Sequence, residues 1–221
     1  MLIVCFGGRG GVGTTVLAGS LALAAGSGRA GVPVLLVDLA GSLPVLFGTD
    51  APEHGVADWL EAGDEVAPDA LARMEVDLGS GIGLLARGVG SLDGPRVGVL
   101  AALLRADARL VIVDAGLGSG QPAHLASALV GSADASLLVA RACPLARSVG
   151  PPGLSASGMV VVRDPGRALR ASDLEVQGGP SAVAELALDP AVGRAVDAGF
   201  GSRPLPSAYL RALRAVLAAL R

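Results

Sequence analysis

The sequence predicts an α/β fold of three layers, with a mostly parallel central sheet flanked by helices. Three observations predict it. Short, continuous apolar runs recur along the 221 residues, each bounded by glycine, proline or a polar cluster. Runs of that kind belong to strands buried on both faces. Between them lie segments with apolar residues at helical spacing, and the alternation of the two makes parallel βαβ units. The chain is also 52% apolar but only 2% aromatic, so its core must be built from Leu, Val and Ala.

The first strand is Leu2-Ile3-Val4-Cys5-Phe6, and a glycine turn then opens onto a helix of small and aliphatic residues over 16–25. Gly31-Val32-Pro33 leads into a strand over 34–37 that ends at Asp38. Residues 55–60 and 68–74 read as short helices, and 82–86 as a strand. The helix over 95–104 carries Pro95 in its first turn, where a missing N–H costs least. Leu110-Val111-Ile112-Val113 is the most strand-like run, and it ends at Asp114. A helix over 122–130 comes next, then strands over 136–140, 159–162 and 183–186. Helices over 190–198 and 207–220 close the chain. There is no repeat and no clear linker, and Pro151-Pro152-Gly153 suits a loop. One domain over 1–221 is expected.

Net charge is −3, which offers no general attraction to nucleic acid or anionic lipid, and no DNA partner is expected. All 17 basic residues are arginine. Cys5 and Cys143 sit in apolar surroundings and read as core thiols of a reducing compartment. Residues 10–28 are uncharged, but they begin with a glycine turn and their aliphatic part is shorter than the roughly 20 residues of a membrane span. The N-terminus lacks the basic region of a secretory signal, so a soluble cytoplasmic protein is expected.

The stretch with chemistry in it is Gly7-Gly8-Arg9-Gly10-Gly11-Val12-Gly13-Thr14-Thr15. Strand, glycine turn and helix in that order are the context of a phosphate-binding loop. Glycines let backbone N–H groups converge as a nest, and the helix N-terminus adds its partial positive charge. The spacing is that of G-x-x-x-x-G-K-[S/T], with Thr14 at the lysine position. Gly8, Arg9, Gly10, Gly11, Val12, Gly13, Thr14 and Thr15 are therefore the candidate nucleotide-binding residues. Ligands of open parallel sheets sit beyond the carboxyl ends of the strands, which brings Asp38 and Asp114 toward the same crevice. In such a site Thr15 presents its hydroxyl to Mg²⁺ with Asp114 beside it, and Asp38 orients a water if the site is active. A second reading of each aspartate stays open: an acid at a strand end also caps the helix that comes after it. His54 and His124 stand apart from cysteines and acids at ligand spacing, and no zinc site is expected.

These residues resemble the MinD/ParA family of P-loop NTPases. Residues 8–15 look like its deviant Walker A loop, G-K-G-G-x-G-K-T. Residues 34–39 are similar to its V-L-L-I-D-x-D strand, and 110–114 to its switch-II strand. Glu185-Leu186-Ala187-Leu188-Asp189-Pro190-Ala191-Val192, with 195–199, is similar to its P-x-D-P-x-V stretch. The resemblance spans nearly the whole chain, and the Gly-Val-Gly-Thr-Thr-Val-Leu-Ala run is nearest the CpaE/TadZ-like branch. It implies a P-loop NTPase-like fold, ATP or ADP with Mg²⁺ as cofactor, and a homodimer. It also implies a role in pilus assembly, secretion or division-site placement, with a peripheral location at pole, septum or inner membrane.

Several positions depart from the family. Its signature lysine is Arg9 here and its loop lysine is Thr14. The second acid of D-x-D is Ala40, and the adenine-reading asparagine is Val162. Removing one partner of a desolvated charge pair costs about 2–5 kcal/mol, roughly 30- to several-thousand-fold in affinity. The expectation is therefore a pseudo-ATPase, with weak nucleotide binding or a fossil loop, that acts as a localisation or scaffolding factor. The alternative is a slow ATP-dependent dimerisation switch. In the last helix Tyr209, Leu210, Leu213, Val216, Leu217 and Leu220 share one side, and Arg211, Arg214 and Arg221 another. Packing on the sheet is the expected use of that apolar side, and membrane contact through 207–221 the alternative.

Overall fold

The computed structural model describes residues 1–27, 31–63, 66–67, 69–117, 122–144, 150–151 and 153–220. Pro68, Pro152 and Arg221, each named in the sequence reading, lie outside the described residues. Eight strands form one sheet: β1 (Leu2–Gly7), β2 (Val34–Asp38), β3 (Glu75–Asp77), β4 (Ile82–Leu85), β5 (Leu110–Leu117), β6 (Ala135–Arg141), β7 (Gly158–Arg163) and β8 (Ala182–Ala187). Their order is β3-β4-β2-β5-β1-β6-β7-β8. Every pairing is parallel except that of β3 with β4.

Side chains alternate along the strands and divide the core in two. Leu2, Val4 and Phe6 of β1 join Leu35 and Val37 on one face, where α3 (Val56–Glu61), α5 (Val97–Ala106), α6 (Ala123–Ser132) and α7 (Ala171–Val176) pack, with Leu71 of α4 (Ala70–Arg73). Ile3 and Cys5 point to the other, under α1 (Thr14–Gly26), α2 (Leu43–Phe47), α8 (Pro190–Ala198) and α9 (Ser207–Ala219). Sheet and two helical layers are thus the three-layer α/β arrangement that the apolar runs predict.

The uncharged stretch is accounted for by α1, which is buried between β5 and β2 on one side and α9 on the other. Gly19 lets α2 approach: a Cβ there would lie 2.8 Å from Leu46 Cδ2. Leu213, Val216 and Leu217 of α9 are buried in this layer, while Arg211 is exposed and Arg214 donates from Nε to the Ala24 carbonyl at 3.3 Å. Much of the apolar side of α9 thus packs on the fold, with Tyr209, Leu210 and Leu220 half-buried at its edge. Among the described residues, no helix is long and apolar enough to cross a membrane.

Three elements escape the sequence patterns. β3 is a three-residue antiparallel edge with polar ends, too short for a period. α2 is a continuous apolar pentapeptide with Pro44 in its first turn, which periodicity cannot distinguish from a strand. α7 is a six-residue helix whose N-terminus is tied by Asp173, which accepts from the Arg170 N–H at 2.8 Å.

Candidate functional site

Beyond β1 the chain turns through residues 8–13 and enters α1 at Thr14. Gly11 and Gly13 have φ of 74° and 102°, left-handed values that glycine adopts without a Cβ clash. Gly13 is the N-cap, and its carbonyl accepts the first helical bond from the Leu17 N–H at 2.9 Å. Nothing stands within 4 Å of where side chains on Gly10 and Gly11 would begin, so the outer side of the loop is open.

The lysine position holds a short side chain that is mostly buried. Thr14 is buried, and a Cβ on Gly7 would lie 2.7 Å from its Oγ1 and 2.8 Å from Val12 Cγ2. Thr14 and Val12 therefore pack close to the end of β1, and glycine is the residue at position 7 that leaves them room. Arg9, in contrast, is exposed on the loop. A cleft of about 630 Å³ opens over this region. Its walls include Arg9, Gly10, Gly13 and Thr15 from the loop, Ala40 and Ser42 after β2, and Gly116 of β5.

Asp38 and Asp114 meet below the cleft, paired directly across adjacent parallel strands. Both are fully buried. Asp38 accepts from the Gly41 N–H at 2.7 Å and the Leu43 N–H at 2.9 Å. It thus fastens the turn that leads into α2, which is the capping alternative. Burial raises its pKa, against these backbone bonds. Asp114 does not end its strand, a correction to the sequence reading. β5 continues to Leu117, and Gly7 of β1 pairs with that residue across a bulge.

Burial pushes the Asp114 carboxyl up to about 6; the Thr15 hydroxyl opposes this, Asp38 adds to it, and the Gly116 N–H opposes it. Oδ1 accepts from Gly116 at 3.0 Å, whereas Oδ2 is buried with no hydrogen-bond partner. Cys5 lies opposite Asp114 on β1, and burial, then the Asp114 charge, raises its thiol. Cys5 and Cys143 are both free, the first buried and the second half-buried.

A second cavity of about 710 Å³ adjoins the first and shares Gly11, Val12, Gly13, Val16 and Val196 with it. Val162 and Leu186, from the ends of β7 and β8, and Val192 of α8 make it apolar, and Arg141, Asp164 and Tyr209 stand in its wall. The chain contains no asparagine at all, so an amide of that kind reaches no part of this wall. Sequence reasoning missed Arg141 and Asp164, because neither belongs to a local pattern. The histidines need a correction as well. His54 Nδ1 lies 3.3 Å from Asp58 and His124 Nε2 lies 3.3 Å from Asp93, each facing one carboxylate.

No protein-family model matches the sequence, and no curated protein matches it. Solved structures do match in fold. A ParA-family ATPase of Chlorobium tepidum is 17% identical with a TM-score of 0.74, covering 100% of this chain and 98% of its own. The septum site-determining protein MinD of Pyrococcus horikoshii, complexed with Mg-ADP, is 19% identical with a TM-score of 0.74, covering 97% and 93%. MinD of Aquifex aeolicus, in its complex with MinC, is 17% identical with a TM-score of 0.70, covering 100% and 93%. The chain thus has the fold of the ParA and MinD P-loop ATPases.

Proposed function

With that fold as premise, we propose that this chain binds Mg-nucleotide weakly at its glycine loop and acts mainly by making contacts. In this reading residues 1–221 work as one unit of CpaE/TadZ-like type that hydrolyses ATP poorly or not at all. It serves as a localisation or scaffolding factor for pilus assembly, secretion or septum placement, as a homodimer, at the periphery of a pole, septum or inner membrane. The observation that carries it is Thr14: a formed loop whose lysine position is filled by a short, buried side chain. Backbone donors alone leave much of the charge of a polyphosphate uncompensated. Efficient hydrolysis requires that charge to be neutralised as it shifts in the transition state.

The residues present fit a Mg-nucleotide in outline. Gly10 and Gly11 leave space where phosphates approach, and Asp114 Oδ2 is a buried acceptor without a partner beside Thr15. Bound Mg²⁺ supplies neutralisation of phosphate charge. Thr15 and Asp114 would hold it, Gly8 to Thr15 would cradle the phosphates, and Asp38 would orient a water if turnover occurs. In a homodimer of the family's type, Arg9 would lie at the subunit junction and pair with a carboxylate or phosphate of the second copy.

Calorimetric titration with Mg-ATP tests this reading. The expected result is a shallow isotherm that saturates only at millimolar nucleotide, and no saturation overturns nucleotide binding. The slow ATP-dependent dimerisation switch is the second reading, favoured by Asp38 and Asp114 lying side by side near Thr15. Tight binding with nucleotide-driven dimer formation would select it.

A further inference from the structure

Besides Arg9 of the exposed loop, one other arginine among the described residues lines the paired cavities. β6 lies beside β1, with Val139 opposite Gly7, so Arg141 stands two residues further along, where the chain leaves the sheet next to the glycine turn. Its side chain lines the second cavity together with Gly11, Val12 and Gly13.

Arg141 is set apart by the lack of a partner. Among the described residues, the other half-buried arginines are all engaged. Arg87 donates to the Leu39 carbonyl at 2.9 Å, and Arg96 lies 3.9 Å over the Trp59 ring, although its buried Nη1 has no hydrogen-bond partner. Arg109 pairs with Glu75 at 2.6 Å, and Arg163 with Glu185 at 3.4 Å. The half-buried Arg141 guanidinium makes no ion pair or hydrogen bond with any described residue. Of the acids in the same wall, Asp164 faces Arg167 at 3.4 Å and Asp189 accepts from the Ala191 N–H at 2.7 Å, while Asp197 is exposed to solvent. A guanidinium in a cavity wall with no protein partner keeps its N–H donors available to an anion. The planar fork of arginine suits phosphate oxygens, which it binds through two parallel N–H bonds.

We infer that Arg141 takes a phosphate group of a nucleoside polyphosphate, in place of the lysine that position 14 lacks. This rests on the reading of the chain as a nucleotide binder. The left-handed turn at Gly11 and Gly13 supplies backbone donors to the same cavity, and Val162, Leu186 and Val192 supply an apolar wall for a base. The lost cation is thereby supplied from the strand next to the loop, on the opposite side of β1 from Asp38 and Asp114.

The test titrates wild type, Arg141→Ala, Arg141→Lys and Arg9→Ala with Mg-ATP, inorganic tripolyphosphate and adenosine. A lost hydrogen bond to a charged group corresponds to about 10- to 100-fold in affinity. Arg141→Ala is expected to weaken ATP and tripolyphosphate by that factor and leave adenosine unchanged. Arg141→Lys is expected to recover part of the loss, and Arg9→Ala to change ATP binding less than Arg141→Ala does. Equal ATP affinity in wild type and Arg141→Ala overturns the inference while the nucleotide reading stands. A wild type that binds neither ATP nor tripolyphosphate overturns that reading itself. Ligand-free melting of each variant checks folding, and Arg141→Gln, which keeps much of the stem, carries the same comparison should the alanine variant fail to fold.

Discussion

Replacing Asp114 with asparagine should stabilise the ligand-free protein at neutral and alkaline pH, and do little in acid. The carboxyl is fully buried, faces Asp38 across the strand pair, and leaves Oδ2 unpartnered. Its pKa stands at about 6 in the folded chain against an ordinary value of 3.8. The folded state therefore binds the proton more tightly than the unfolded one. Stability from this group is fully present below the unfolded value and is lost as pH rises through the folded one. The full loss corresponds to about 3 kcal/mol, of which about 2 kcal/mol falls between pH 4 and pH 8. Asparagine keeps the shape and the acceptor for Gly116 but does not ionise. The melting temperature of Asp114→Asn relative to wild type should thus be higher at pH 8 than at pH 4 by about 4–8 °C, at 2–4 °C per kcal/mol for a chain of this size. Calorimetric or circular-dichroism melts at the two pH values measure it directly. A difference that does not change with pH refutes the argument that an ionised, poorly solvated carboxylate sits beneath the cleft.

Other perturbations probe the loop and its supports. Thr14→Lys should tighten Mg-ATP by about 30-fold or more, since it returns one partner of a desolvated charge pair, and calorimetry reads the change. Gly13→Ala places a side chain at φ 102° and should cost about 1–2 kcal/mol in urea unfolding. Leu213→Ala removes a fully buried side chain between α9 and α1 and should cost about 2–5 kcal/mol without altering retention on anionic vesicles. Arg9→Ala should weaken any dimer the chain forms, which equal sedimentation of variant and wild type would contradict.

Features that are local, or that arise from regular alternation, are legible in the sequence. Apolar runs locate the long strands because burial on both faces leaves them without polar interruptions. The glycine turn is visible because left-handed backbone and close approach are demands that glycine answers by itself. Asp38 and Asp114 are expected near one another because parallel strands place their carboxyl ends at one edge. The position of Asp114 inside its strand is not visible, since Ala115-Gly116-Leu117 continues pairing where the pattern suggests an exit. Arg141 is hidden for a different reason. Only the pairing of β6 with β1 carries it to the glycine turn, and no spacing along the chain encodes that neighbour. The packing of the apolar side of α9 is likewise a property of the layer beneath it. Its amphipathic pattern fits an interior helix and a surface-binding one equally well.

In the proposed function the chain keeps the phosphate loop of an ATPase fold without the lysine that makes it efficient. Phosphate release from millimolar Mg-ATP, measured on purified wild type beside Asp38→Ala, tests it most directly. Release should be indistinguishable from background and identical in the two proteins. Sustained turnover by the wild type that disappears in Asp38→Ala would contradict it.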